Sequence, residues 1–332
     1  IGGDTDELAV VLFHLFNFRR IIGTRGIGEK RANEWRRIEC VDLSSKGWTA
    51  ELQSVFETRE STEKLTSEGG YRLTHVGSIS KPDRSLFTGG EAKAVLRLLK
   101  DFLSFARGLR CYPICAIGFD AAGNRIWEAW SSPKDSWSRP LSWFDEQHSE
   151  QLVALFPGFM NKCSDPDWRS ALHEVIYWYL IANNTSTGID AGIILTQTAI
   201  ERLSFEYLVG QQKLLDIRSF KDRRASDTIR LLLTELDIPI ELPTNLTRLN
   251  ALANELKWED SAHALTDVRN SLVHPERNKA SFSGCYYDTW RLGLWYLELA
   301  ILRICGYSEV YANRLTQKRV SEVEQLPWQN RD

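Results

Sequence analysis

The sequence has no long apolar run. Its longest, Ala9–Phe18, is interrupted by His14 and Asn17, which makes it too short and too polar to cross a bilayer. No membrane partner is expected. A cysteine framework is missing too. Cys40, Cys111, Cys115, Cys163, Cys285 and Cys305 are scattered, and the Cys111/Cys115 pair has no second Cys/His pair nearby. They read as reduced core thiols of a cytoplasmic protein. Nor is there an excess of one charge. Lys and Arg total 41 against 44 Asp and Glu, a net charge of -3, so any nucleic-acid surface must be local. No G-x-S-x-G elbow and no Asp/Glu/His cluster at metal-ligand spacing occurs. Neither a metal nor a cofactor is expected. Methionine occurs once, at Met160, and the chain opens on Ile1, so it reads as the interior of a longer protein.

What is present falls into two halves. Residues 1–145 carry short, strand-like signals. Glu7–Phe18, Trp35–Leu43, Leu52–Phe56 and Arg72–Ile79 are β-branched or alternating runs. Ile114–Phe119 and Arg125–Trp130 flank an Asp-Ala-Ala-Gly-Asn turn and predict a hairpin. One helix, Glu91–Arg107, interrupts them, with Leu96, Leu99, Phe102, Leu103 and Ala106 on a 3.6-residue period. The Ser- and Pro-rich stretch 131–146 reads as a linker. From 146 to 332 the pattern is almost wholly helical, with helices expected near 148–162, 167–183, 189–209, 225–236, 244–256, 259–274 and 283–305. Gly and Pro punctuate nearly every junction. The last helix is apolar nearly all round, as at the centre of a bundle or in a subunit interface. The polar end, 315–332, is expected to fray. The fold class is therefore α+β: a mixed, strand-rich N-terminal domain followed by an all-α bundle.

The most informative stretch is DVRNSLVHPE, residues 267–276. Projected at about 100° per residue, Arg269 falls inside the apolar stripe of Leu265, Val268 and Leu272. An arginine so placed requires an anionic partner, because an unpaired buried charge costs several kcal/mol. Glu201, flanking the stripe of the 189–209 helix, is one candidate and would make a structural salt bridge. A phosphate is the other: the guanidinium would offer it a forked donor, while His274 would transfer protons. Residues five apart lie roughly 140° apart around a helix. Two routes bring them together: Pro275 ends the helix and frees the imidazole, or two copies of the chain share one site. An Arg-Asn-x3-His match arises by chance in roughly 2% of chains of this composition.

RNSLVHPE at Arg269–Glu276, in a helical bundle with Glu201 on the preceding helix, resembles the signature of the HEPN superfamily. The resemblance covers roughly residues 150–310. It implies a bundle that dimerises and, in active members, a metal-independent endoribonuclease. Arg269 and His274 would then converge on the scissile phosphate, with Asn270 orienting them and Glu201 in support. A mixed domain before the bundle is similar to ApeA-like anti-phage proteins. That implies a toxin-like or antiviral effector acting on RNA as a homodimer, with an activating signal received at the N-terminal half. The competing expectation is a silent HEPN dimerisation module, with Arg269 in a structural salt bridge.

Three further features bear on function. Lys213, Arg218, Lys221, Arg223, Arg224 and Arg230 form the densest basic tract; Arg218, Lys221, Arg223 and Arg224 are the candidate RNA contacts. The glycine-rich run Gly23–Lys30 suggests a phosphate loop, but Glu29 stands where a P-loop needs Lys, so a hairpin loop is expected. His263 shares a helix face with Asn270 and His274, and is expected to be surface polar.

Overall fold

The structure is a computed structural model and describes residues 2–31, 34–55, 59–274 and 282–329. It is an α+β protein that divides into two compact units. The first holds residues 1–161 and 319–321, the second 162–318 and 322–332.

In the first unit, seven strands form one antiparallel sheet: β2 (Val10–Phe16), β3 (Arg25–Arg31), β4 (Glu34–Ser45), β5 (Trp48–Ser54), β6 (Leu73–Ser80), β8 (Ile114–Phe119) and β9 (Arg125–Ala129), in the order β3-β4-β5-β6-β2-β8-β9. A two-strand ladder, β1 (Glu7–Leu8) with β7 (Phe87–Thr88), stands beside it. Strand β2 shows why the pattern works. Val11, Phe13 and Leu15 are fully buried while Leu12 is exposed, the period-2 alternation of a sheet with one covered face. Gly77 of β6 sits opposite Phe13, where a Cβ would overlap the ring. Two helices belong to this part, α1 (Arg59–Glu68) and α2 (Gly89–Arg107). Helix α2 starts at a capping box, with Thr88 and Glu91 each accepting the other's backbone N–H, and ends at Gly108 in the left-handed region. Its stripe of Leu99, Phe102, Leu103 and Ala106 is fully buried.

Three expectations need correction here. The run Gly23–Lys30 is not a hairpin loop: from Arg25 it is β3, a sheet-edge strand paired along β4. Its glycines hid the alternation, and the long partner strand supplies the pairing. Residues 131–146 form no helix or strand but are no loose linker, because Trp143 and Phe144 are fully buried. The boundary also moves from 145 to 161. Helix α3 (Glu150–Lys162) belongs with the first unit, where Phe156 and Phe159 pack against Phe102 at ring distances of 5.1 and 5.5 Å.

The second unit is helical: α4 (Pro166–Asn183), α5 (Ile189–Phe205), α6 (Ile217–Lys221), α7 (Ala225–Glu235), α8 (Thr247–Leu256), α9 (Ser261–Val273) and α10 (Tyr286–Ile304). Helix α5 packs against α4, α7, α9 and α10 and continues into a π-helical turn, Glu206–Gln211. Helix α10 is the centre of the bundle, buried along almost its whole length from Asp288 onward. Small residues set its approach to α5: a Cβ on Gly192 would sit 2.6 Å from the Trp290 ring, and one on Gly293 would overlap Thr196.

The C-terminal stretch does not fray. Tyr311 pairs with Glu324 in an antiparallel bridge, and Leu315 and Leu326 are buried. Arg314, only 2% exposed, gives its Nε to Glu298 at 2.8 Å. Tyr179 donates to the same carboxylate at 2.6 Å, and Asn183 accepts from the guanidinium at 3.2 Å. Polar composition suggested a free tail, but the pairing that holds it comes from α4 and α10, which sequence composition does not reveal.

Candidate functional site

Helix α9 begins at Asp260, whose carboxylate accepts the backbone N–H of His263 at 2.8 Å. Its buried stripe is Ala262, Leu265, Thr266 and Val268. Arg269 lies on that stripe, as the projection required, and is half-buried. Its Nε is sealed from solvent and has no hydrogen-bond partner among the described residues. Its Nη1 donates to Oδ1 of Asn270 at 3.3 Å.

Asn270 contacts both motif partners. Its side chain accepts from Arg269, and its carbonyl accepts the backbone N–H of His274 at 2.8 Å. At His274 the backbone leaves the α region, with φ -128° and ψ 68°, and the imidazole is exposed. The helix thus ends where the sequence said it would. Pro275 and Glu276 lie outside the described residues.

The anticipated salt bridge from Arg269 to Glu201 is not formed. Glu201 instead accepts Nε2 of Gln197 at 2.7 Å, one turn earlier on α5. Among the described residues no carboxylate lies within ion-pair reach of Arg269. Gln197 is itself buried, and its Oε1 lacks a partner.

Sequence reasoning passed over Asp267. It accepts the indole N–H of Trp258 at 2.8 Å and lies 3.6 Å from Nε2 of His263. His263, Asp267, Asn270 and His274 share one face of α9, since they recur at helical spacing. The i, i+4 spacing of His263 and Asp267 was the available signal.

The basic tract divides. Arg230 is taken up by three acids, with Asp227 at 2.7 Å, Glu259 at 3.2 Å and Asp260 as partners. Arg218, Lys221, Arg223 and Arg224 remain exposed. Arg218 has only a loose contact to Asp222, at 3.8 Å. The structure keeps α6 on the end of α5 through the edge-on contact of Phe220 with Phe205.

Other titratable groups serve packing. Five of the six cysteines are buried, and none of the six forms a disulfide. Burial pushes the Cys111 thiol up to about 12, far from a thiolate nucleophile. Among the described residues no three His, Cys, Asp or Glu side chains gather into a metal-binding group, and no helix is long and apolar enough to cross a membrane.

Two family models match the chain: the YopA central domain over residues 3–140 and the YopA C-terminal domain over 165–325. The second match begins close to the start of the second unit, while the first ends before α3, short of the first unit's limit at 161. The chain is also similar to the SPbeta prophage-derived uncharacterized protein YopA of Bacillus subtilis (strain 168), with 31% identity over 297 residues. That alignment takes in 87% of this chain, and the chain spans 66% of that relative's length. No solved structure matches.

Proposed function

From a chain whose two halves match the YopA central and C-terminal domain models in turn, we propose that the helical half is a metal-independent endoribonuclease of the HEPN type. The observation that carries the reading is the linkage through Asn270. One asparagine holds the guanidinium of Arg269 by its side chain and the backbone of His274 by its carbonyl. An arginine on a buried stripe, with no carboxylate partner among the described residues, is a cation in need of an anion.

The chemistry needs few parts. RNA carries its own nucleophile, the 2'-hydroxyl. Its oxygen attacks phosphorus, and the bond from phosphorus to the 5'-oxygen breaks. His274 removes the proton of the 2'-hydroxyl or protonates the departing 5'-oxygen. Arg269 stabilises the charge that grows on the phosphoryl oxygens. Arg269 is held on the stripe of α9 while His274 has left the α region, and a homodimer supplies one of the two from each protomer to a shared phosphate. The exposed Arg218, Lys221, Arg223 and Arg224 contact the RNA backbone, and Glu201 supports the α5 side of the site. A prophage-derived relative fits a toxin-like effector in phage–host conflict, working in the cytoplasm and triggered through the strand-rich unit.

The test is purified protein incubated with total RNA in the presence of EDTA. Arg269→Ala and His274→Ala are each expected to slow cleavage by about 100-fold or more without lowering the melting temperature. Cleavage by His274→Ala at the parental rate would refute the catalytic role. No cleavage by any form, with Arg269→Ala unfolding the bundle, returns the domain to a silent dimerisation module.

A further inference from the structure

The Ser/Pro-rich run of the first unit is fixed in place by its main chain. Asn17, fully buried and left-handed at φ 58°, gives its side-chain N–H groups to the carbonyls of Gly70 and Asp135, at 2.9 and 3.2 Å. The same side chain accepts the N–H of Arg72 at 2.9 Å. The Trp137 N–H reaches the Gly70 carbonyl at 2.8 Å, and the Tyr71 hydroxyl reaches the Lys134 carbonyl at 3.4 Å. Arg110 holds Asp135, with Nη2 to Oδ1 at 2.9 Å. Residues 70–72 and 134–139 therefore form one surface with a set shape.

Its side chains have an unusual make-up. Tyr71 is 52% exposed, Leu141 is 45% exposed, and Trp137 is half-buried. The Arg139 guanidinium lies over the Trp137 ring at 5.6 Å. Lys134 and Arg139 are exposed, and neither has a carboxylate within ion-pair reach among the described residues. Asp135, the acid in this patch, is already taken by Arg110. Part-exposed aromatic rings grouped beside cations that no carboxylate neutralises mark an interaction surface.

We propose that this surface binds single-stranded nucleic acid, with unpaired bases stacking on Trp137 and Tyr71 and phosphates meeting Lys134 and Arg139. The chemistry selects that partner. Ring faces next to cations match a strand whose bases are open and whose backbone is anionic. A duplex hides its base faces, and an acidic peptide offers charge without stacking. None of the contacts calls for a 2'-hydroxyl. The inference concerns the strand-rich unit and stands apart from the ribonuclease reading.

The experiment uses the full chain and a fluorescein-labelled oligodeoxythymidylate, which lacks the 2'-hydroxyl that the proposed cleavage needs. Anisotropy is expected to show binding that weakens with salt. Tyr71→Ala and Trp137→Ala should each weaken it about tenfold, and Trp137→Phe should restore most of the loss. Replacing Lys134 and Arg139 together by Gln should lower the slope of log affinity against log salt by about 1.4. Arg223 and Arg224 can meet the phosphates of the same strand, so the Tyr71, Trp137 and Lys134/Arg139 variants, and not binding alone, locate the site. No binding, equal binding of a duplex of the same length, equal competition by polyglutamate, or binding that Tyr71→Ala, Trp137→Ala and the Lys134/Arg139 variant all leave unchanged would each overturn the proposal. Should Trp137→Ala not fold, Tyr71→Ala and the Lys134/Arg139 variant, all at solvent-reached positions, decide the matter.

Discussion

At the scale of single residues, position was easier to read than partnership. The 3.6-residue projection put Arg269 on the buried stripe of α9, and the structure has it there. The projection could not see that Glu201 would take Gln197, because a neighbour one turn away on the same helix is always in reach while a partner across a helix interface is not. His75 shows the same gap. No motif marks it in the sequence, yet it is 1% exposed, meets the Phe18 ring edge-on at 5.4 Å, and has neither ring nitrogen hydrogen-bonded among the described residues. Burial holds its imidazole down at about 3, against an ordinary 6.5. The unfolded chain takes up a proton below 6.5 and the folded chain does not. Stability linked to this group is thus complete above pH 6.5 and is lost as pH falls toward 3. His75→Phe is expected to flatten that part of the curve, as measured by urea midpoints at pH 7, 5.5 and 4.5. Parallel losses in parent and variant would show that another group controls acid sensitivity.

At the scale of elements, the helices announced themselves and the irregular segments did not. Amphipathic period and Gly/Pro breaks located α4, α5, α7, α9 and α10 to within a few residues, and β2, β6 and the β8–β9 hairpin were equally plain. The segment 131–146 failed because Ser and Pro mark the absence of a repeat, and a chain can be irregular and still be core. Its anchor is Asn17. Asn17→Ala removes three hydrogen bonds from a buried site and places a Cβ-bearing residue without a compensating side chain at φ 58°. The expected loss is roughly 2–4 kcal/mol in urea unfolding. A loss below about 0.5 kcal/mol would mean that Trp143 and Phe144 hold the segment unaided.

At the scale of the whole molecule, the division into a strand-rich half and a helical half was legible, and the fold class follows from it. The exact border was not, because an amphipathic helix states that it has a core and not which one. Helix α3 reads like a member of the bundle, but Phe156 and Phe159 belong with Phe102. A fragment of residues 1–161 is therefore expected to melt well above one of residues 1–145, which leaves Phe102 without both rings. Equal melting temperatures by circular dichroism would detach α3 from that core.

The buried pair of Glu298 and Arg314 makes the closure of the bundle depend on its last residues. Glu298 is made sixteen residues before its cation, and a lone carboxylate cannot enter an apolar interior without severe cost. The bundle around α10 is therefore expected to close only once Arg314 is available to it. A chain that stops short of residue 314 is expected to leave Glu298 without its cation and to be cut faster by added protease than the full chain.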